Sequence, residues 1–307
     1  ASFISLFLNF VFPLSKELNT LIQILTFIFY FFIFKKRINF LEIKLIIIIS
    51  FSILLLVSFD TEYRPDAYLY HLPFSQILNE YKIIPGLSNL HFRFGHISIF
   101  QYISSFNYTV LSGHNGLLIP SAFFCITIFF YFLNDSYSII KEKKISYGKL
   151  FSFIIFVYIS LRINRYGEFG NDAMAHLSIF YLISKFIYLD PNKIDSYNKI
   201  LFLSVFSFLN KSFMIFAFVI PAYLFFKTKF NYKRKLFNLS IFFLGLWLVK
   251  NIFISGCAIY PVKYSCIENL KWVDIKDVSY ESTKGEAWAK AWPQNQNKSL
   301  TQSEFNK

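Results

Sequence analysis

The sequence predicts an all-α, polytopic transmembrane helix bundle, and three observations carry that reading. Apolar residues make up 55% of the 307-residue chain, with 42 Phe and 20 Tyr, and the mean hydropathy is +0.45. A soluble domain of that length has too little interior to hide them, whereas lipid accommodates them. The apolar residues also come in runs close to the roughly 20-residue length that crosses a bilayer. Lys and Arg, the source of the net charge of +13, fall in short clusters between those runs. That is the pattern of cytoplasmic loops and not of a phosphate-binding face, so nucleic acid is not an expected partner; the lipid bilayer is.

The segments then come in order. Leu18 to Phe34 is an apolar run closed by Lys35, Lys36 and Arg37, which sets those residues inside. Ile43 to Phe59 crosses outward and delivers a first outer loop, residues 60–96, rich in acids, histidines and arginines. The next basic group, Lys141, Lys143, Lys144 and Lys149, is again inside, so only an odd number of crossings fits between. The stretch 97–111 carries Gln101 and Asn107 and is read as an amphipathic interfacial helix, leaving 117–133 to cross. Leu150 to Ile163 leads to a second outer loop, 162–176, and Ala173 to Leu189 returns inside. The run 200–226 precedes Lys227, Lys229, Lys233, Arg234 and Lys235, so it is read as a hairpin broken at Asn210-Lys211 with both ends inside. Leu236 to Ile254 crosses outward, giving a transmembrane domain over 1–254 and an extracytoplasmic segment over 255–307. A first residue that is not Met, a short apolar run at Phe3 to Phe12 and a polar end suggest a piece of a longer chain.

The polar loops hold the candidate chemistry. Pro65 suits the first turn of a helix, and Ala67, Tyr70, Phe74, Ile77 and Tyr81 form an apolar stripe that Pro73 would kink or split. Asp66 then opens an interfacial helix with Tyr70 and His71 one turn along, wet enough to stay ionised and close to lipid head groups. That suits a general base on a lipid-borne substrate; plain N-capping is the alternative. Arg93 is a candidate for bidentate phosphate binding, and His91 beside it for substrate contact. The histidine spacing matches no metal signature, so no metal ligands are assigned. Glu168 and Asp172 sit four apart around Gly167 and Gly170, either reaching toward the first loop or neutralised by Arg162 and Arg165. Lys211, at the hairpin break, is read as an intramembrane charge facing a carrier phosphate, with snorkelling as the alternative. Cys257 and Cys266 are either a disulfide or two free thiols.

With the outward span ending at Phe59, DAYLYH at Asp66 to His71, the helix near 97–111, GND at Gly170 to Asp172 and the broken hairpin, the layout resembles the GT-C superfamily of integral-membrane glycosyltransferases. The resemblance covers residues 40–260 and rests on order and sidedness. It implies Asp66 as catalytic base, Asp172 as the second-loop acid, and Lys211 or Arg93 as the carrier-phosphate ligand. It further implies a polyprenyl-phosphate sugar as donor, a glycan or lipid of the cell envelope as acceptor, and the inner membrane of a bacterium as the location. Ala67 stands where a second consecutive acid is common, and His91-Phe92-Arg93 replaces a Lys-Pro-Pro type segment, which leaves the acceptor and a divalent cation open. The leading expectation is therefore an inverting sugar transfer on the outer face. A transporter or flippase for lipid-linked glycans, or a non-catalytic assembly protein, are the alternatives.

Overall fold

The computed structural model describes residues 1–33, 40–58, 66–143, 145–163, 166, 169, 172–189, 194–227 and 235–291. The all-α expectation holds: twelve α-helices and no strand occur among the described residues. In chain order they are α1 Ser2–Val11, α2 Lys16–Ile33, α3 Phe40–Ser58, α4 Leu72–Glu80, α5 Ile99–Phe106, α6 Ile119–Glu142, α7 Tyr147–Arg162, α8 Asp172–Ile187, α9 Ile194–Asn210, α10 Val219–Lys227, α11 Lys235–Ser255 and α12 Ile275–Ala291. Two of them, α6 and α11, are long and apolar enough to cross a membrane. Large apolar side chains also lie exposed along α2, α3, α7 and α10, with Phe32 75% and Phe226 83% accessible. Apolar surface of that extent is the mark of a face meant for something other than water.

The chain divides into two compact units. The first comprises Ala1–Lys82 and Ser98–Leu244, the second Ile83–Ile97 and Gly245–Lys307. The first outer loop expected from the sequence is thus shared between them.

In the first unit α8 is the central helix. One of its faces, Ala173, Met174 and Leu177, packs with Cys125, Ile126 and Phe132 of α6 and Ile155 and Ile159 of α7. Another, Ala175, Ile179 and Leu182, meets Ile200 of α9 together with Met214, Ala217 and Leu224. A buried side chain of this size contributes about 1.5–3 kcal/mol, so the two clusters set how α6 to α10 pack. The hairpin breaks where the sequence places it: α9 ends at Asn210, Lys211 is extended, and a 3-10 turn Ser212–Phe218 leads into α10. Its first arm is longer than expected, however. α9 begins at Ile194 and has 17 residues, about 25 Å of helix at 1.5 Å per residue. Lys211 sits at the tip between the two arms.

Backbone carbonyls at the C-terminal ends of α4 and α5, and in the turn between α1 and α2, lack helical partners. Asparagine amides supply the missing donors. Asn9 Nδ2 donates to Tyr81 O at 3.0 Å, and Asn19 Nδ2 to Leu14 O, Ser105 O and Tyr108 O at 2.8, 3.0 and 2.9 Å. Asn79 Nδ2 adds bonds to Leu14 O and Ser105 O. A carbonyl buried without such a donor costs about 1–3 kcal/mol.

Two details of the loop preceding α4 and of α5 depart from the expectation. The Ala67–His71 segment is a π-turn, with the Leu72 amide bonded to Ala67 O. Pro73, near the start of α4, has no N–H to give and its ring crowds the carbonyl four residues back, so the chain takes the wider turn. One extra residue in the turn shifts the buried stripe to Ala67, His71, Phe74 and Leu78. Tyr81, expected on the stripe, is 54% exposed. α5 covers only Ile99–Phe106 of the stretch 97–111, and it is packed and not surface-lying, with Ile99, Phe100, Gln101 and Tyr102 buried.

In the second unit the segment 83–97 folds onto the end of α11 and the chain beyond it. The last carbonyls of α11 are taken by the Gly86 amide, on Phe253 O at 2.9 Å, and by Trp272 Nε1, on Ile252 O at 3.1 Å. Gly86 has φ +74°, a conformation that side chains rarely adopt, and Gly95 lies so close under the Tyr260 ring that no Cβ would fit. The small core here is Cys257, Tyr260 and Val278 with Phe92. Cys257 and Cys266 form a disulfide, which closes the open alternative. A loop of that length contributes about 2–3 kcal/mol, a useful supplement to so few apolar residues.

Candidate functional site

Asp172 is the first residue of α8, where the positive end of the helix dipole favours a carboxylate. Lys211, at the tip of the α9–α10 hairpin, gives its ammonium to Asp172 Oδ1 at 2.6 Å. Both remain accessible, the Lys211 side chain 43% and that of Asp172 62% exposed. A pair this exposed contributes only about 0–1 kcal/mol to folding. Its importance lies in position: it sets an acid and a cation from distant parts of the chain side by side. His176, one turn along α8, is exposed next to them.

A continuous set of hydrogen bonds runs from this pair to the first loop. Asn210, next to Lys211, accepts from the Ser98 hydroxyl at 3.0 Å. Ser98 is the N-cap of α5, and its own amide donates to Gln101 Oε1 at 3.1 Å in a capping box. The Gln101 Nε2 in turn lies 3.0 Å from His71 Nδ1. His71 closes the π-turn that begins after Asp66, and the Tyr70 ring lies against it with centroids 4.2 Å apart. The first loop from Asp66 to His71 and the second-loop acid are therefore tied to one end of the same unit.

Asp66 occupies the N-cap position of the π-turn, yet its side chain makes no capping hydrogen bond, and it is exposed. The N-cap alternative therefore does not account for the residue. An accessible carboxylate next to a rigid turn is a suitable proton acceptor.

The other expected residues fall elsewhere. His91 and Arg93 belong to the second unit. His91 Nδ1 accepts from the Arg93 amide at 3.2 Å, and the Arg93 guanidinium lies 5.1 Å from the centroid of the Phe92 ring. Lys284 Nζ sits at the same distance from that ring. Tyr260, beside Gly95, has its hydroxyl pushed up to about 12 by burial, with the carboxylates of Glu281 and Asp277 adding to the shift. It stays neutral at any physiological pH. Glu168, Gly167, Gly170 and the acids Asp60 and Glu62 lie outside the described residues. No cluster of three or more metal-type ligands occurs among the described residues.

Sequence reasoning alone assigns no role to Ser98, Gln101, His176 or Lys250. The first two carry a legible sign, Ser98-x-x-Gln101 ahead of an apolar run, which is the spacing of a capping box. Lys250 is the more unusual. It is fully buried in α11, its side-chain nitrogen lies 3.3 Å from the Trp247 ring centroid, and it has no hydrogen-bond partner among the described residues.

Neither a curated protein nor a solved structure matches the chain. A family model described as a domain of unknown function (DUF8201) matches residues 1–306, and the chain belongs to that family.

Proposed function

We propose that the chain is a multi-pass membrane glycosyltransferase that moves a sugar from a polyprenyl-phosphate donor to a cell-envelope acceptor on the outer face. One observation carries the reading: Asp172 and Lys211, from separate polar stretches, meet in an accessible pair that a hydrogen-bond chain links to the Asp66–His71 turn. The exposed apolar faces of α2, α3, α7 and α10 support a lipid surrounding. The Cys257–Cys266 disulfide supports an oxidising, outer location for the segment after α11.

In this reading Asp66 takes the proton of the acceptor hydroxyl as its oxygen attacks the anomeric carbon. The bond from that carbon to the carrier phosphate breaks, and the phosphate leaves with the electron pair. An ammonium has three N–H donors and Asp172 engages Lys211 through one, so the others can meet the charge that develops on the phosphate. Asp172 holds Lys211 in place.

The transporter alternative would use Lys211 for its substrate without needing Asp66 as a base. The deciding experiment is turnover of a labelled polyprenyl-phosphate sugar by the purified protein. The wild type should release the carrier phosphate and glycosylate an acceptor, and Asp66→Asn should lower the rate by about 10²–10⁴-fold with folding intact. Wild-type glycan output from Asp66→Asn would refute the assignment of the base.

A further inference from the structure

We propose that His176 is a further catalytic residue of this site: it contacts the carrier phosphate beside Lys211 and gives it a proton as the sugar is transferred. The proposal rests on the transferase reading. Helix geometry places the imidazole there, since residues four apart stand one above the other on the same face, about 5–6 Å apart at Cβ. Asp172 opens α8 and His176 follows one turn along it. Asp172 in turn holds the Lys211 ammonium at 2.6 Å, so acid, cation and imidazole meet at one corner. All three residues are exposed, whereas Ala173, Met174, Ala175 and Leu177 between and beside them are buried. The polar face of that turn is therefore open to a ligand. Among the described residues, the charged groups that act on the His176 ring are Asp172 on its own helix and Lys211 from the hairpin.

Charge balance calls for this third group. The charges of Asp172 and Lys211 cancel. A sugar phosphodiester carries one negative charge, and the phosphate monoester that leaves carries up to two, with a second pKa of about 6. An imidazole, with an ordinary value of about 6.5, is matched to that proton. The anion of the bound donor favours the charged ring, and the corner then sets one positive charge against one negative. In the transfer step the bond from the anomeric carbon to the phosphate oxygen breaks, with its electron pair on that oxygen. The acceptor oxygen forms the new bond to the carbon, and the acceptor proton goes to Asp66. The His176 proton goes to the phosphate, which departs as a monoanion and leaves a neutral ring. Lys211 keeps its protons throughout and holds the phosphate by hydrogen bonding.

The test has two arms, both on the full chain in phosphatidylcholine nanodiscs. In the first, 15N spectra of the histidine rings are recorded before and after a polyprenyl monophosphate is added, so that the carrier is told apart from a lipid head group. With five histidines in the sequence, the His176 signal is assigned by its loss in His176→Gln. The carrier should move that signal toward the doubly protonated form at neutral pH, and an unmoved ring overturns the contact. In the second arm kcat for transfer is followed against pH. The wild-type rate should fall on the alkaline side, above about 6.5, as an imidazole loses its proton. His176→Gln, a change at an exposed position that should leave folding intact, should lower kcat by about 10²-fold and abolish that alkaline fall. A variant as fast as the wild type, or a slow one that keeps the alkaline fall, overturns the proton transfer. A ring shift without any transfer by the wild type would sink the transferase reading and leave the phosphate contact standing.

Discussion

The two ends of α8 carry the same kinds of residue and use them in opposite ways. At its C-terminal end, Asp135 of α6 accepts from the Ser152 hydroxyl of α7 and, at 2.8 Å, from that of Tyr188. Lys185 lies over the rings of Tyr131 and Tyr181 at 4.4 and 4.9 Å, and the Tyr131 hydroxyl bonds Ser184 at 3.0 Å. There the acid and the cation are each absorbed by neighbours, and three helices are clamped together. At the N-terminal end Asp172 and Lys211 meet only across a partly exposed contact, with donor and acceptor capacity left over. A carboxylate and a lysine within one bundle are thus not a site by virtue of type. A clamp differs from a site in whether hydrogen-bonding capacity remains for a ligand.

The largest expected effect breaks that comparison directly. Asp172→Asn should lower transfer by about 10²-fold or more, since it releases the cation meant for the leaving phosphate. It should change thermal stability little, because an exposed pair contributes about 0–1 kcal/mol. Asp135→Ala should do the reverse. It leaves the Ser152 and Tyr188 hydroxyls without their acceptor and destabilises by about 1–3 kcal/mol, while the folded fraction keeps its turnover. Chemical or thermal denaturation read beside the transfer assay checks both. Loss of transfer in a fully stable Asp135→Ala protein would show that the C-terminal end of α8 is a site after all.

Part of this architecture is legible in the sequence, and the rest is hidden for identifiable reasons. The break at Asn210-Lys211 is legible because a polar pair interrupts an apolar run, and the all-α character comes from the length of those runs. The ion pair is not legible, since Lys211 and Asp172 are 39 residues apart and only tertiary packing joins them. A uniform 3.6-residue period over 67–81 fails because Pro73 widens the turn before it; His71 then takes the buried position expected of Tyr70. The association of 83–97 with the chain after 245 has no local signature at all, because glycines at 86 and 95 declare a close approach without saying to what.

Lys250 supplies a third case against which the two ends of α8 can be sharpened: a buried lysine with an aromatic ring for company and, among the described residues, no hydrogen-bond partner. A buried ammonium without a counter-charge is costly, and the Trp247 ring offsets only part of that. Lys250→Met keeps the length of the side chain and removes the charge, so it should raise the stability of the protein by about 1 kcal/mol. The midpoint of denaturation reports it. A loss of stability would mean that Lys250 has an anionic partner in the working protein, and that it holds a ligand instead of helices.

The smallest effect is also the most discriminating. In a double-mutant cycle on Asp172→Asn and Lys211→Met, the coupling energy for folding should be about 0.5 kcal/mol, the size measured for exposed pairs. It should shrink further as salt is raised, since solvent-exposed charges are screened over about 10 Å at 0.1 M ionic strength. The same cycle read through transfer should be strongly non-additive, because either substitution alone already disrupts the arrangement that meets the phosphate. A coupling of several kcal/mol for folding that salt does not weaken would be the signature of a desolvated clamp. In that event the Asp172 end of α8 would resemble the Asp135 end, and the reason for placing the chemistry there would be gone.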